Sequence, residues 1–257
     1  MNNQLDRFAV NTQVQKLINN DLGYAIWSKQ TQSVDMIASR TAVILTDMWD
    51  LHWSRGMTER TVKLLEPINR LCEELRERGV LIVHVPSNVA SFYDGTPARQ
   101  RLLDAPPIEV PNQQKINYPA LPIDDSDGGN DTTNNAGAVN QIVWTRQHPD
   151  IPIDQERDVI ADDEGERLYA LLAARGIDTL LYTGVAVNMC ILNRSFGMKN
   201  MLNWGLRCIL VKDLTDSMYN PARAPYVRHD EGTQLVIDYI EKFVAPTTTS
   251  DHLKVFS

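Results

Sequence analysis

Cys190 and Asp47 are the two residues of this chain whose type and position suggest covalent chemistry. Cys190 closes the stretch Thr183-Gly184-Val185-Ala186-Val187-Asn188-Met189-Cys190. The apolar run 179–182 just before it reads as a buried strand, and the residues after it read as a helix. A cysteine in the first turn of a helix meets unpaired N–H groups and the positive end of the helix dipole. Both favour thiolate over thiol. Asp47 directly follows a second strand-like run, residues 42–45. A carboxylate there is the right group to accept a thiol proton, provided that burial raises its pKa. The pair offers nucleophilic attack on a carbonyl with a carboxylate shuttling the proton. Each residue also has a plainer reading. Asp47 can cap the turn that follows it, and a free cysteine is usually an inert small hydrophobe. Cys72, on an apolar helix face, and Cys208, inside a strand, fit the inert description.

Around Asp47 lie Trp49, Asp50, His52 and Trp53. Trp49 and His52, with Asn188 from the turn, are the candidate substrate contacts. The tryptophans can wall an apolar pocket or belong to the core. Asp47, Asp50 and His52 are a weak metal pattern, and no CxxC or paired His/Cys spacing suggests zinc. The expectation is therefore no metal and no cofactor. Three widely spaced cysteines do not make a disulfide framework. Reduced thiols in a cytoplasmic protein are the simplest reading, and a processed precursor is the alternative.

These residues need elements to hold them. Residues 42–45, 80–85, 141–145, 179–182 and 208–211 are apolar runs that read as buried strands, and 157–161 reads as a short extra strand. Residues 58–78, 164–175, 187–204 and 231–244 show helical spacing, with Pro67 expected to kink the first or split it in two. Strands alternating with helices predict a three-layer α/β/α fold, doubly wound around a mainly parallel sheet of about six strands. In such sheets ligands bind beyond the carboxyl ends of the strands, which is where Asp47 and Cys190 fall. Residues 1–40 read as an N-terminal extension packed on the domain, with a short helix over 14–22 and short strands over 24–27 and 33–37. The domain then runs from 41 to 257, with a long loop insertion at 86–140 and an edge strand over 252–256.

Composition narrows the function. The 257 residues are 43% hydrophobic, enough for a full core, and the net charge is −8. An acidic chain argues against nucleic-acid binding, and no apolar run is long enough to span a membrane. A small-molecule substrate is the expected partner.

Gly184-Val185-Ala186-Val187-Asn188-Met189-Cys190 after its strand, and Thr46-Asp47-Met48-Trp49-Asp50, together resemble the isochorismatase-like cysteine hydrolases. The resemblance runs from about residue 41 to 244. It implies Cys190 as nucleophile, Asp47 as its base, and a non-proline cis peptide between Val185 and Ala186. That bond would aim the Ala186 and Cys190 N–H groups at a developing oxyanion. It further implies hydrolysis of an amide or other C–N bond through a thioester, and a homodimer or homotetramer. The alternatives are a non-catalytic member of the fold or a vinyl-ether hydrolase of the isochorismatase type. Three departures stand out. Val187 replaces a Thr, Trp49 replaces a Gln, and the catalytic Lys expected near the end of the third strand is missing. No Lys occurs between Lys115 and Lys199. Arg146, directly after the run 141–145, is the expected substitute, with Arg157 second. An arginine can act there only through its charge.

Overall fold

Six residues, Thr41–Thr46, form the strand around which the molecule is arranged (β3), and all six are buried. Their side chains alternate between two cores, as a strand covered on both faces requires. Val43 and Leu45 join the apolar face of helix α1 (Arg55–Glu77), beside Leu65, Ile68, Leu71, Cys72 and Leu75. Ala42 and Ile44 join the opposite core. That core is closed by α3 (Gly165–Ala174), α4 (Cys190–Asn193), α5 (Met198–Asn203) and α6 (His229–Phe243). The computed structural model describes residues 6–111, 116–134 and 141–253.

The remaining strands are β1 (Arg7–Asn19), β2 (Ala25–Ile37), β4 (Leu81–Val85), β5 (Val159–Ile160), β6 (Thr179–Val185), β7 (Arg207–Asp216) and β8 (Thr247–Thr248). They make one eight-stranded sheet in the order β2-β1-β8-β7-β6-β3-β4-β5. β3 pairs in parallel with β4 on one side and β6 on the other. The central strand ends are thus brought side by side, and Asp47 and the turn after β6 emerge as neighbours. The three-layer, mainly parallel architecture is as expected, with eight strands in place of about six.

The extra strands come from the N-terminus. Residues 14–22, expected as a helix, lie mostly in β1, which pairs with β2 along its whole length. Val14, Leu17 and Ile18 have helical spacing, but thirteen cross-strand pairs satisfy the backbone without a helix. The hairpin joins the sheet through Gln13 opposite Thr247.

Other expectations need correction. Residues 141–145 are not a strand. The Thr145 N–H donates to the Asp50 carboxylate at 2.9 Å, and Trp144 is turned inward. The two-residue β5, expected as an accessory strand, is the third parallel strand of the row β3-β4-β5. Pro67 lies inside one unbroken α1. The expected helix 187–204 is two short helices. Residues 252–253 lie in a 3-10 turn, the rest of the expected edge strand is outside the described residues, and β8 pairs there instead. Among its described residues the insertion 86–140 carries a 3-10 turn, Ala90–Tyr93, and α2 (Pro97–Leu103). Among the described residues, no helix is long and apolar enough to cross a membrane.

Candidate active site

Asp47 is the residue after β3, and its backbone φ is 49°. This left-handed conformation is one that Asp tolerates better than most residues. It turns the carboxyl into the protein, where the residue is fully buried. Oδ1 accepts a hydrogen bond from the Ser87 N–H at 2.8 Å. Oδ2 has no conventional partner among the described residues, and the thiol of Cys190 interacts with the carboxyl. Burial pushes the Asp47 pKa up to about 6, although the Cys190 thiol and the Ser87 N–H pull the other way.

The turn that delivers Cys190 depends on close backbone contact. Gly184 has φ 98°, and a Cβ there would stand 2.1 Å from the Thr46 carbonyl oxygen. Only glycine lets β6 end this close to β3. The Val185–Ala186 peptide is cis. The Val187 N–H then donates to the Asp216 carbonyl at 2.8 Å, tying the turn to β7. Cys190 follows as the first residue of α4, partly exposed. Its thiol is not depressed as a helix start would suggest. Burial pushes its pKa up, the neighbouring Asp47 carboxylate pushes it further, and Arg194 opposes both. A four-residue helix has too small a dipole to outweigh burial. The site at rest therefore holds a protonated thiol beside a carboxylate.

The cation facing this pair is Arg194, at the C-terminus of α4. Its guanidinium reaches the Cys190 sulfur, and its Nη1 donates to Asp163 Oδ2 at 3.1 Å. Both expected arginines lie elsewhere. Arg146 is exposed over the Phe92 ring, with 5.6 Å from Cζ to the ring centroid. Arg157 is exposed and paired with Asp154 and Glu77. The assumption that the third strand ended at residue 145 misplaced Arg146, and Arg157 lies before β5 rather than beyond its end. Arg194 was legible in another way, since it follows Cys190 by four residues, one helical turn.

Cys190 and Arg194 open into a cavity of about 170 Å³. Trp49, Trp53 and Trp144 form much of its wall. Trp49 and Trp144 stack with centroids 4.0 Å apart, and both indole N–H groups donate to the Ser87 carbonyl at 3.2 Å. The His52 ring lies parallel to Trp144 at 5.5 Å. Its Nδ1 accepts from the Ser54 N–H, and burial lowers its pKa to about 4, so it is neutral at pH 7. Met57, Met189 and Met218 add apolar lining. Asn188, expected to touch substrate, is fully buried away from the cavity. Its amide donates to the Met218 carbonyl and Asp125 Oδ2, and its Oδ1 accepts from the Met218 N–H. It pins two loops that wall the site. Among the described residues, no three His, Cys, Asp or Glu side chains cluster as metal ligands would.

Cys72 and Cys208 contrast with Cys190. Both are buried in the cores, where burial pushes the Cys72 thiol up to about 12 and raises that of Cys208.

Comparison with known proteins agrees with this architecture. A family model described as "Isochorismatase domain" matches residues 41–252. Among solved structures, a cysteine hydrolase from Pseudomonas syringae pv. phaseolicola is 19% identical, with 85% of this chain and 92% of that one covered and a TM-score of 0.53. An isochorismatase from Pseudomonas putida is 14% identical, with 84% and 91% covered and a TM-score of 0.50. At these identities the likeness is one of fold. No curated protein sequence matches.

Proposed function

Because the chain belongs to the isochorismatase family, we propose that it is a cysteine-dependent hydrolase of a small molecule, cleaving an amide or other C–N bond through a thioester on Cys190. One observation carries this reading. The thiol of Cys190 lies between Arg194 and a buried carboxyl, Asp47, with an oxygen left unbonded. Above pH 6 Asp47 is a carboxylate in contact with a thiol, and transferring that proton creates the nucleophile as it is needed.

A substrate carbonyl enters the Trp-walled cavity above Cys190. Asp47 takes the thiol proton while the sulfur attacks the carbonyl carbon. Arg194 stabilises the developing thiolate, and the N–H groups of Ala186 and Cys190 face the oxyanion. Asp47 returns its proton to the leaving nitrogen, the C–N bond breaks, and an acyl-enzyme remains. Water then attacks the thioester with Asp47 as base, freeing the acid and the thiol. The flat indole wall and neutral His52 favour a compact, planar, uncharged acyl group. Trapping is the direct test. Incubation with a panel of small carboxamides, followed by mass spectrometry, is expected to show an acyl adduct on Cys190. Full turnover in Cys190→Ala would overturn the reading.

A second reading, a non-catalytic binding protein, draws on the burial that holds the thiol protonated. Alkylation separates the two. A nucleophile reacts much faster than Cys72 and Cys208 in the folded protein, and equal rates favour the binder.

A further inference from the structure

The resemblance implies a lysine near the end of the third strand; β5, third in the row β3-β4-β5, is followed by Ala161-Asp162-Asp163. The two carboxylates have different duties. Asp162 accepts from the Asn88 and Ala90 N–H groups and fastens the loop after β4. Asp163 points across to the other side of the site. Its Oδ2 accepts from Arg194 Nη1 at 3.1 Å. Its Oδ1 accepts from the Ser195 N–H at 2.9 Å and from Ser195 Oγ at 2.6 Å. Ser195 Oγ in turn accepts from the Gly165 N–H at 2.8 Å. A Cβ on Gly165 would stand 2.1 Å from the Ser195 carbonyl oxygen, so the two segments meet backbone to backbone. The start of α3 and the end of α4 are thus locked together around one carboxylate.

The geometry points to Asp163 as the positioning residue for Arg194, anchoring its guanidinium against the sulfur of Cys190. The inference rests on Cys190 being the nucleophile. A lysine on β5 would bring its own charge to the sulfur from a fixed strand. Here the strand end supplies an anion, and the cation arrives on a long side chain from just beyond a four-residue helix. Such a side chain has many rotamers and needs a second contact to select one. Asp163 also brings a cost, because a nearby anion disfavours thiolate. Anchoring and bare charge therefore act on the thiol with opposite signs, and the sign of a mutant's effect tells them apart. Removing an anchor raises the thiol pKa, and removing only an anion lowers it.

The test is the pH profile of Cys190 alkylation by iodoacetamide in the full chain, read by peptide mass spectrometry, with melting temperatures measured alongside. Asp163→Asn is expected to raise the apparent thiol pKa by about one unit, slowing alkylation about tenfold at fixed pH. Asp163→Ser, which keeps an oxygen for the Ser195 N–H, is expected to do the same and stands in should the Asn variant not fold. Asp163→Glu is expected to recover the rate to within about threefold, since it restores the charge-assisted pair. In an Arg194→Ala background, Asp163→Asn is expected to add no further slowing, because the two act as one unit. An unchanged or lowered thiol pKa in the Asn and Ser variants would overturn the inference. So would an undiminished Asp163 effect without Arg194. These readouts need no substrate, so retained turnover in Cys190→Ala would sink the hydrolase reading without altering them.

Discussion

Two buried carboxylates flanking strands of the sheet make opposite use of burial. Asp158, beside β5, is saturated. It takes two hydrogen bonds at 2.8 Å from Arg76, one from His84 at 3.0 Å and one from the Asp154 N–H at 2.8 Å. Burial alone would raise its pKa, but the hydrogen bonds from His84 and Arg76 outweigh burial and lower it to about 2. Asp47, at the end of β3, receives one N–H bond, leaves Oδ2 without a conventional partner among the described residues and lies beside Cys190, and its pKa rises to about 6. The difference lies in how many donors surround each carboxyl. A saturated carboxylate cements α1 to the sheet, and an undersaturated one is ready to take a proton.

The contrast would break most visibly in activity. Cys190→Ala and Asp47→Asn are each expected to lower kcat/KM by at least about a thousandfold, whereas Asp158→Asn in protein that remains folded should leave it within about tenfold. The acidic limb of kcat/KM should fall near pH 6, where Asp47 protonates.

Stability should show the reverse order. Asp158→Asn leaves Arg76 buried without its counter-ion and is expected to cost about 3–5 kcal/mol in urea unfolding. The depressed pKa of Asp158 contributes stability above pH 4 that is lost as pH falls through about 2. Asp47 has the opposite sign. Its raised pKa favours the folded state below pH 4, and that advantage is lost as pH rises through about 6. At pH 7 the ionised Asp47 therefore costs about 3 kcal/mol, taking about 1.4 kcal/mol per pKa unit. Asp47→Asn should stabilise the inactive protein at neutral pH, by up to that amount. An unchanged or lower melting temperature would count against the undersaturated state of Asp47.

The smallest effects should come from the arginines outside the site. Arg146→Ala and Arg157→Ala should change kcat/KM by less than about threefold, since both are exposed and engaged with other partners. Arg194→Ala should exceed both by at least about tenfold through lost charge stabilisation.

Part of this arrangement was legible in residue types. β3, β4, β6 and β7 announced themselves by short apolar runs, because the middle of a strand covered on both faces is mostly apolar. Asp47 was legible because it directly follows such a run, and Cys190 because it stands at the start of the helix after one. β5 was hard to see because two residues carry no periodicity. The hairpin of β1 and β2 was misread in part because long-range pairing overrode local spacing. Arg146 was misassigned through the false strand 141–145, and Asn188 because a residue in the motif turn can face inward as readily as toward substrate.

The sequence by itself determined the alternation of elements and the placing of a carboxyl and a thiol beyond the carboxyl ends of strands. Those are local properties, read from hydrophobic period. Only the tertiary structure decided that Arg194 is the cation, that Asp163 holds it, and that Asp47 rather than Asp158 is left short of donors. A side chain's pKa and partners depend on groups distant in the chain, 143 residues away for Cys190 and Asp47 (190 − 47). Burial and hydrogen bonding set those values only once the sheet has brought such groups together.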